Sequence, residues 1–386
     1  MSKSKIITGI DIGTSKISVI VCSVSGKDIN VLGFGTSIFK GVQKGIIKDR
    51  ILFSNALQNA IKRAQVAANE PIEDVFVNVP NGNSRFSIQT GIVQNNENQM
   101  ASSKENAMKK SAYCIDKKDC SILHLIPINK RGDGKQVALD ESRKFNSVEI
   151  DTGIILCDTG NLKRVISTIK GLNINIKGIL SDFLSAGAIL IPQECSQSYL
   201  IIDIGAQVTL LSIFKNNKLK FAQVIQIGSE QITQDLSICL KCSVSEAERV
   251  KILYGQLQRF KENVSEYICV QCHDGQKNIK MSLIISIIES RVNQLAQLAK
   301  KYLNYAPEYN EIILTGSGSN LRGISDWVES KLGKNISKLP ENIYNEMNIN
   351  SNYIIAMGQV VYGHQIGLVN TKTHSELKKF AQKIFS

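Results

Sequence analysis

The chain has 386 residues, of which 43% are hydrophobic and 21% charged, with a formal net charge of +12. This length allows about two to four domains, and the composition is typical of a soluble globular protein. Residues 1–5 lack the apolar stretch of a signal peptide, and no apolar run approaches the roughly 18 residues of a membrane span, so we expect a cytosolic protein. The lysines are dispersed rather than clustered, which argues against nucleic acid as a partner.

A tight turn after an apolar strand occurs twice in the chain. The first copy, Thr8 to Lys16, contains Asp11 and is followed by an alternating, apolar stretch over residues 17–24. The second copy, Tyr199 to Gly205, contains Asp203 and is also followed by a β-rich stretch. Both copies predict a strand, a turn and a second strand. They lie 203 − 11 = 192 residues apart, which predicts the duplication of a whole domain.

The other segments alternate between helix and strand patterns. Apolar residues recur at helical spacing over residues 52–67, and residues 73–79 alternate as in a strand. Polar runs and short strand patterns over residues 84–165 predict an inserted small α/β domain, and residues 164–190 return to helix, strand and helix. Later segments predict helices at 245–257, 282–305 and 321–332, with an apolar strand from Glu311 running into a glycine-rich turn.

The residues of the first turn suit phosphate binding. Glycine lets backbone N–H groups approach phosphate oxygens, and nearby hydroxyls add donors. The residues that fit this use are Gly13, Thr14 and Ser15.

An aspartate at the end of each buried strand points to a cation. Such a carboxylate is costly to bury unless it is paired or lies near a positive charge. Asp11 and Asp203, brought face to face, would hold Mg²⁺ through its waters. A third glycine-rich turn follows at Gly316 and Gly318, so the three turns together predict a nucleotide site rather than a coincidence.

Glu248 and Lys251 lie three residues apart and therefore share a helix face. They could hydrogen-bond a ribose hydroxyl, but the spacing alone favours a solvated pair.

Several of these motifs resemble those of the actin and heat-shock-chaperone ATPase superfamily. Asp11 to Thr14 and Asp203 to Gly205 resemble its two phosphate motifs, and Leu314 to Gly316 resembles its adenosine motif. Ala247 to Lys251, followed by Gly255, resembles its ribose-contacting helix. Within the superfamily the chain resembles, over essentially its full length, the FtsA family of bacterial cell-division proteins.

The resemblance implies an actin-like α/β fold of duplicated, ribonuclease H-like domains with an inserted small α/β domain. It implies ATP and Mg²⁺ as ligands. The implied phosphate contacts are Asp11, Gly13, Thr14, Ser15, Lys16, Asp203, Gly205 and Thr209. The implied ribose and adenine contacts are Glu248, Lys251, Gly316, Ser317, Gly318 and Asn320, which reverses the interpretation of Glu248 and Lys251 from spacing. The implied Mg²⁺ ligands, through water, are Asp11 and Asp203.

One departure from the family bears on catalysis. The second phosphate turn is commonly rich in glycine and threonine, but here Gln207 and Val208 replace smaller or hydroxylated residues. No residue stands out as a general base, so we assign no catalytic residue and expect slow or absent ATP hydrolysis. Whether Lys16 faces the phosphates or the outer side of the hairpin is open at this point.

The resemblance also implies a division into domains. The first core domain comprises residues 1–83 and 166–195, with the insertion at 84–165. The second core domain comprises residues 196–240 and 305–370, with a small domain at 241–304. Residues 371–386 form a linker and a C-terminal amphipathic helix.

The C-terminal segment has apolar residues at helical spacing, namely Leu377, Phe380, Ala381, Ile384 and Phe385. The lysines on the flanks and opposite side are Lys378, Lys379 and Lys383. The pattern alone suits equally a helix on an anionic membrane surface and a terminal helix docked on the core. The family ends in a membrane-targeting helix, which implies the former.

The partners implied by the family are the tubulin-like ring protein FtsZ, further copies of this chain in a filament, and other division proteins. The C-terminal tail of FtsZ would dock on residues 241–304, and the candidate contacts are Arg291, Lys300 and Lys301. The location would be peripheral, on the cytoplasmic side of the inner membrane at the division site. The rival functions are a sugar or acetate kinase, a pilus-assembly ATPase and a chaperone.

Two C-x-x-C pairs lie in the second half, at Cys239 and Cys242 and at Cys269 and Cys272. Zinc binding and, through Cys269 to His273, haem attachment are the alternatives to reduced structural cysteines. The apolar surroundings of the first pair favour cysteine as a small buried side chain.

Overall fold

The computed structural model describes residues 4–26, 28–95, 103–141, 143–192, 196–257, 266–337 and 351–368. Within these ranges each half of the chain is built on a mixed sheet, and a four-stranded sheet is inserted in the first half. No helix in the described ranges is long and apolar enough to cross a bilayer.

The first half begins with a sheet and one long helix. Its elements are β1 (Lys5–Ile12), β2 (Lys16–Ser25), β3 (Asp28–Ile38), β4 (Val42–Gln43), β5 (Ile46–Ile47), helix α1 (Arg50–Ala68) and β6 (Asp74–Asn78). β1 pairs antiparallel with β2 and parallel with β6. The carboxyl ends of β1 and β6 therefore lie at one edge of the sheet, and they carry Asp11 and Asn78.

Helix α1 covers one face of this sheet. Asp49 caps its first turn, because the Asp49 carboxylate accepts hydrogen bonds from the N–H groups of Ile51 and Leu52. The helix lies so close to β3 that a Cβ on Gly35 would be 2.3 Å from the carbonyl oxygen of Ala60. Glycine at this position allows the close contact between helix and strand.

The insertion forms a separate sheet with one helix on its face. Its elements are β7 (Arg85–Gln94), α2 (Ser103–Tyr113), β8 (Cys120–Gly132), β9 (Lys135–Val137) and β10 (Ser147–Asp158), with the strands in the order β7-β10-β8-β9. The chain then returns to the first sheet through α3 (Thr159–Gly171), β11 (Asn175–Leu180) and α4 (Asp182–Leu190). β11 pairs parallel with β6, so the start of α4 lies at the same sheet edge as Asp11.

The second half repeats the strand–turn–strand start of the first. Its elements are β12 (Ser198–Ile204), β13 (Thr209–Lys215), β14 (Lys218–Ile225), α5 (Ser229–Leu240), α6 (Val244–Tyr254), β15 (Tyr267–Cys272), β16 (Gly275–Lys280), α7 (Met281–Leu303), β17 (Glu311–Thr315), α8 (Ile324–Leu332) and α9 (Ile354–Leu368). The main sheet has the order β14-β13-β12-β17. A short 3₁₀ helix, Ser317–Asn320, follows β17.

The two halves share a core around α4 and α9. Ile7 and Ile20 of the first sheet belong to the same buried cluster as Leu210 and Phe214 of the second. The amide oxygen of Gln359 in α9 accepts the backbone N–H of Ile10 at 2.8 Å. The edges of the two sheets are therefore held at a fixed distance, and the cleft lies between them.

Most sequence-predicted elements form at the expected places, with different ends. The helix expected at 321–332 begins only at Ile324, because Ser317–Asn320 forms a 3₁₀ helix and Gly323 takes a left-handed φ of 78°. The helix expected at 245–257 ends at Tyr254, where Gly255 leaves the helical conformation.

Candidate functional site

A cleft opens between the two sheets where β1, β6, β12 and β17 end. Its lining includes residues 11–16 of the first turn, Pro80, Asn81, Asp182, Asp203, Gly205, Ala206, Thr315, Gly316, Ser317, Ser351 and Asn352. Of the sequence-predicted residues, it contains Asp11, Gly13, Thr14, Ser15, Lys16, Asp203, Gly205, Gly316 and Ser317. Nine of the sequence-predicted residues therefore lie around one cleft.

The two turns have the same backbone structure. In the first, the N–H of Gly13 donates to the carbonyl of Lys16 at 3.0 Å, and in the second the N–H of Gly205 donates to the carbonyl of Val208 at 2.9 Å. The strand registers also match. Asp11 pairs with Ser18 and Asp203 pairs with Leu210, so each aspartate pairs with the residue seven positions after it. Val208 therefore takes the place of Lys16, and only the first turn places a cation in the cleft.

The Lys16 side chain faces the cleft, which decides the question that the sequence left open. Its ammonium group donates to the side-chain oxygen of Asn352. Burial lowers the pKa of Lys16, while the charges of Asp11 and Asp203 oppose that shift. Lys16 is therefore a partly desolvated cation between the two turns.

Three carboxyl groups meet beside Lys16. Burial raises the pKa of Asp11 to about 7, with Lys16 opposing the shift and Asp203 adding to it. Burial raises the pKa of Asp203 to about 6, again against the attraction of Lys16. The pKa of Asp182 lies well above its usual value, because of burial and then the charge of Asp11. The cluster retains protons near neutral pH when no other cation is present.

Asp182 and two asparagines are site residues that the sequence analysis missed. The Asn78 amide donates to Asp11 at 3.0 Å and to Asp182 at 2.7 Å, and the Asn81 amide donates to the second oxygen of Asp182. A signal was present, since Asn78 and Asp182 follow apolar strand patterns as Asp11 does. The local sequence pattern does not contain the parallel strand order β11-β6-β1, and it is this order that brings those strand ends together.

The inserted domain reaches this cluster through one buried histidine. His124 of β8 accepts the backbone N–H of Ser181 through Nε2 at 3.1 Å, and Ser181 caps the helix that begins with Asp182. Burial lowers the pKa of His124 to about 4, so the ring is neutral and can accept this hydrogen bond.

The turn after β17 forms the opposite wall of the cleft. Gly316 has a φ of 85°, and a Cβ on it would be 2.2 Å from Oδ1 of Asp203, so only glycine fits without strain. The Thr315 hydroxyl beside it is buried and has no hydrogen-bond partner within the described residues. Gly318 packs on Ile204. Gly318 and Asn320 are absent from the residues that line the cleft.

Three other predicted contacts lie away from the cleft lining. The Thr209 hydroxyl donates to the carbonyl of Ile227 at 2.7 Å, and Thr209 is fully buried behind its turn. Glu248 and Lys251 form an ion pair at 2.7 Å, and Lys251 also donates to the hydroxyl of Thr233 on α5 at 2.8 Å. Glu248 and Lys251 therefore join α6 to α5.

Gln207, the departure in the second turn, bridges the two halves. Its backbone N–H donates to the Thr14 hydroxyl at 3.2 Å, and its side-chain amide donates to the carbonyl of Val42 at 3.1 Å. Gln207 therefore adds contacts between the two halves, although its side chain carries no hydroxyl that could bind phosphate.

The residues predicted to contact FtsZ differ in whether they already form an ion pair within this chain. Arg291 forms a two-pronged ion pair with Asp235, with distances of 2.6 and 2.7 Å. Lys300 and Lys301 are exposed in the last turn of α7. The predicted membrane residues, 377–386, lie outside the described part of the chain.

The C-x-x-C pairs each have one exposed and one buried member. Cys239 and Cys269 are exposed, whereas Cys242 and Cys272 lie in the core of the second half. No group of three or more His, Cys, Asp or Glu side chains in the described ranges is arranged to hold a metal ion. Within those ranges the two C-x-x-C pairs therefore do not form a zinc ligand set.

Solved structures with the same architecture define the class of protein. The type IV pilus biogenesis complex of PilM and PilN contains a chain that aligns with a TM-score of 0.67 at 15% identity, covering 92% of this chain and 98% of that one. MreB5 of Spiroplasma citri bound to ADP aligns with a TM-score of 0.60 at 13% identity, covering 95% and 99%. The chain therefore has the actin-like fold.

Sequence comparison narrows this class to one family. The model of the cell division protein FtsA matches residues 200–358. The FtsA of Buchnera aphidicola subsp. Acyrthosiphon pisum is 25% identical over 99% of this chain and 96% of its own length. The FtsA of Enterococcus faecalis is 26% identical over 87% and 79%. The chain is therefore similar, over nearly its whole length, to cell division proteins of the FtsA family.

Proposed function

We propose that this protein binds ATP together with Mg²⁺ in the cleft between its halves. The observation that carries the proposal is the crowding of Asp11, Asp182 and Asp203 at the ends of strands from both halves. Carboxyl groups so close together repel one another unless a cation or protons neutralise them. Because these side chains do not form a direct three-ligand metal site, a divalent cation would relieve this repulsion through its waters, and Mg²⁺ prefers to remain partly hydrated.

The residues of the cleft fit this ligand. The Lys16 ammonium and the N–H groups of the first turn would hold phosphate oxygens, and Asp11 and Asp203 would accept hydrogen bonds from the waters of Mg²⁺. The unpartnered Thr315 hydroxyl and the bare backbone of Gly316 would meet the adenosine. Mg²⁺ would supply charge neutralisation to the phosphates.

We propose slow or absent hydrolysis. The pKa of Asp182 lies well above its usual value, chiefly because of burial, and each of its oxygens already accepts an asparagine amide. A group in this state is a poor base for activating a water molecule. ATP would then act as a switch for assembly rather than as a fuel.

Calorimetry with Mg-ATP tests the cleft. Asp11→Ala should abolish measurable binding, because it removes one of the two carboxylates proposed to hold the hydrated cation. Asp326→Ala, at an exposed position in the first turn of α8, is the matched control and should bind as the unaltered protein does. Equal affinity in all three proteins would refute the cleft.

The similarity to FtsA proteins supports a proposal for the cellular role. We propose that residues 371–386 anchor the protein to the cytoplasmic face of the inner membrane, where it polymerises. There it would tether FtsZ and recruit other division proteins. The small domain, residues 241–304, would receive the FtsZ tail. Lys300 and Lys301 remain the better candidates for that contact, because Arg291 is already paired with Asp235.

Co-sedimentation with anionic liposomes and FtsZ, with and without Mg-ATP, tests this role. Deleting residues 377–386 should remove the protein and FtsZ from the liposome pellet together. Replacing Lys378, Lys379 and Lys383 with glutamine is a milder variant that keeps the apolar face. Unchanged pelleting after the deletion would reject the anchor.

A further inference from the structure

Two cysteines that the proposed function does not use lie opposite each other in the second half. Cys242 is in the turn between α5 and α6, and Cys272 is the last residue of β15. They form an isolated antiparallel bridge between these two segments. Both side chains belong to the same buried cluster.

Cys242 and Cys272 form a non-hydrogen-bonded antiparallel pair. The N–H of His273, just after Cys272, donates at 2.8 Å to the carbonyl of Lys241, just before Cys242. The facing residues of such a pair do not bond to each other's backbone, and their Cα atoms are about 4.5 Å apart. Disulfides span Cα separations of about 4.4 to 6.8 Å. The two thiols can therefore be joined with little backbone movement.

We propose that Cys242 and Cys272 are an oxidation site and form an intramolecular disulfide in the presence of a peroxide. Cys272, 5% exposed, meets the oxidant before Cys242, which is fully buried. The Cys272 thiol and the peroxide give a sulfenic acid and water. The Cys242 sulfur then attacks the Cys272 sulfur, the S–S bond forms, and a second water leaves. Two thiols and one hydrogen peroxide thus yield one disulfide and two waters.

The surroundings favour this order of events. A surface cavity lies against the bridge, and its lining comprises Ser237, Ile238, Lys241, His273 and Asp274. It contains direct neighbours of both cysteines, Lys241 and His273, so a small oxidant that enters it comes within one residue of each cysteine along the chain. Burial raises the pKa of the Cys242 thiol, which disfavours it as the first thiol to react with a peroxide.

The two exposed cysteines of the C-x-x-C motifs are differently placed. Cys269 pairs with Asn278 in the β15–β16 hairpin, and the Gln276 amide lies 2.6 Å from its sulfur. Cys239 lies on the last turn of α5. Neither faces a cysteine across a bridge, so they would react with peroxide individually.

The disulfide would close residues 242–272 into a loop that contains α6. Closing a loop restricts the unfolded chain, so oxidation should raise the melting temperature. The same treatment of a variant without Cys242 should leave it unchanged or lower it.

Peptide mapping of the purified full-length chain tests the proposal. After hydrogen peroxide and blocking of remaining thiols, trypsin yields residues 242–249, which contain Cys242 alone, and 262–277, which contain Cys269 and Cys272. We expect these two peptides to be joined in the unreduced digest, and still to be joined in the double variant Cys239→Ser/Cys269→Ser. Within the two C-x-x-C motifs the double variant leaves only the proposed pair, and it should show the same rise in melting temperature.

Three outcomes would overturn the proposal. One is a map in which Cys239 or Cys269 carries the link. Another is a link between two chains, revealed by a dimer on unreduced gels. The third is a double variant that keeps both thiols free after peroxide while the folded protein remains intact.

Discussion

Binding of Mg-ATP should depend on pH, because it competes with protons on Asp11 and Asp203. Their pKa values are raised to about 7 and about 6 in the cleft without ligand. The ionised fraction of a group with a pKa near 7 falls about a hundredfold between pH 8 and pH 5, which corresponds to about 3 kcal/mol. Asp203 adds about a further tenfold. We therefore expect affinity to fall by at least about a hundredfold over this range.

The unliganded protein should show the opposite trend in stability. A carboxyl group whose pKa is raised on folding stabilises the fold fully below its unfolded value, near 3.8, and loses that contribution as the pH rises through its folded value. The melting temperature without ligand should therefore decline between about pH 4 and pH 7 on account of this cluster, and Mg-ATP should reverse the decline.

Calorimetry measures both consequences of this competition. Titration of Mg-ATP near pH 6.5 in two buffers of different ionisation enthalpy should show proton release on binding. The double variant Asp11→Asn/Asp203→Asn carries neutral amides of similar shape, so its melting temperature should decline less, with Asp182 the remaining contributor from this cluster. Affinity that stays constant from pH 8 to pH 5, with no proton release, would refute the reasoning.

Three further substitutions probe the cleft. Gly316→Ala should lower the free energy of unfolding by about 1 to 3 kcal/mol in urea titrations, because its Cβ would clash with Asp203 and its φ is left-handed; unaltered stability would contradict the geometry. Thr315→Val should leave the unliganded protein as stable or more so, since the lost hydroxyl has no partner among the described residues, yet it should weaken Mg-ATP binding several-fold in calorimetry; equal affinity would remove Thr315 from the site. Gln207→Ala should cost about 1 kcal/mol of unfolding free energy through the lost bond to Val42, whereas Gln223→Ala, on β14, serves as a comparison.

Much of the fold follows from local patterns. The strand–turn–strand repeat at Asp11 and Asp203 predicts the two matching hairpins, because alternating apolar residues and a glycine turn specify that unit wherever they occur. The long apolar faces of α1 and α7 likewise predict those helices. The ends of helices are less determined, as the 3₁₀ turn before α8 shows, because caps depend on neighbours that are distant in the chain.

The sequence by itself determined that two Asp-Ile-Gly turns and a glycine-rich turn exist and suit phosphate and Mg²⁺. Only the tertiary structure decided that Lys16 faces the cleft, that Asp182 joins Asp11 and Asp203, and that Thr209 lies behind its turn. The reason is that a side chain's direction and the desolvation of a carboxyl group depend on which strands lie side by side. The parallel order β11-β6-β1 brings together residues more than 100 positions apart in the chain, and no local pattern contains that order.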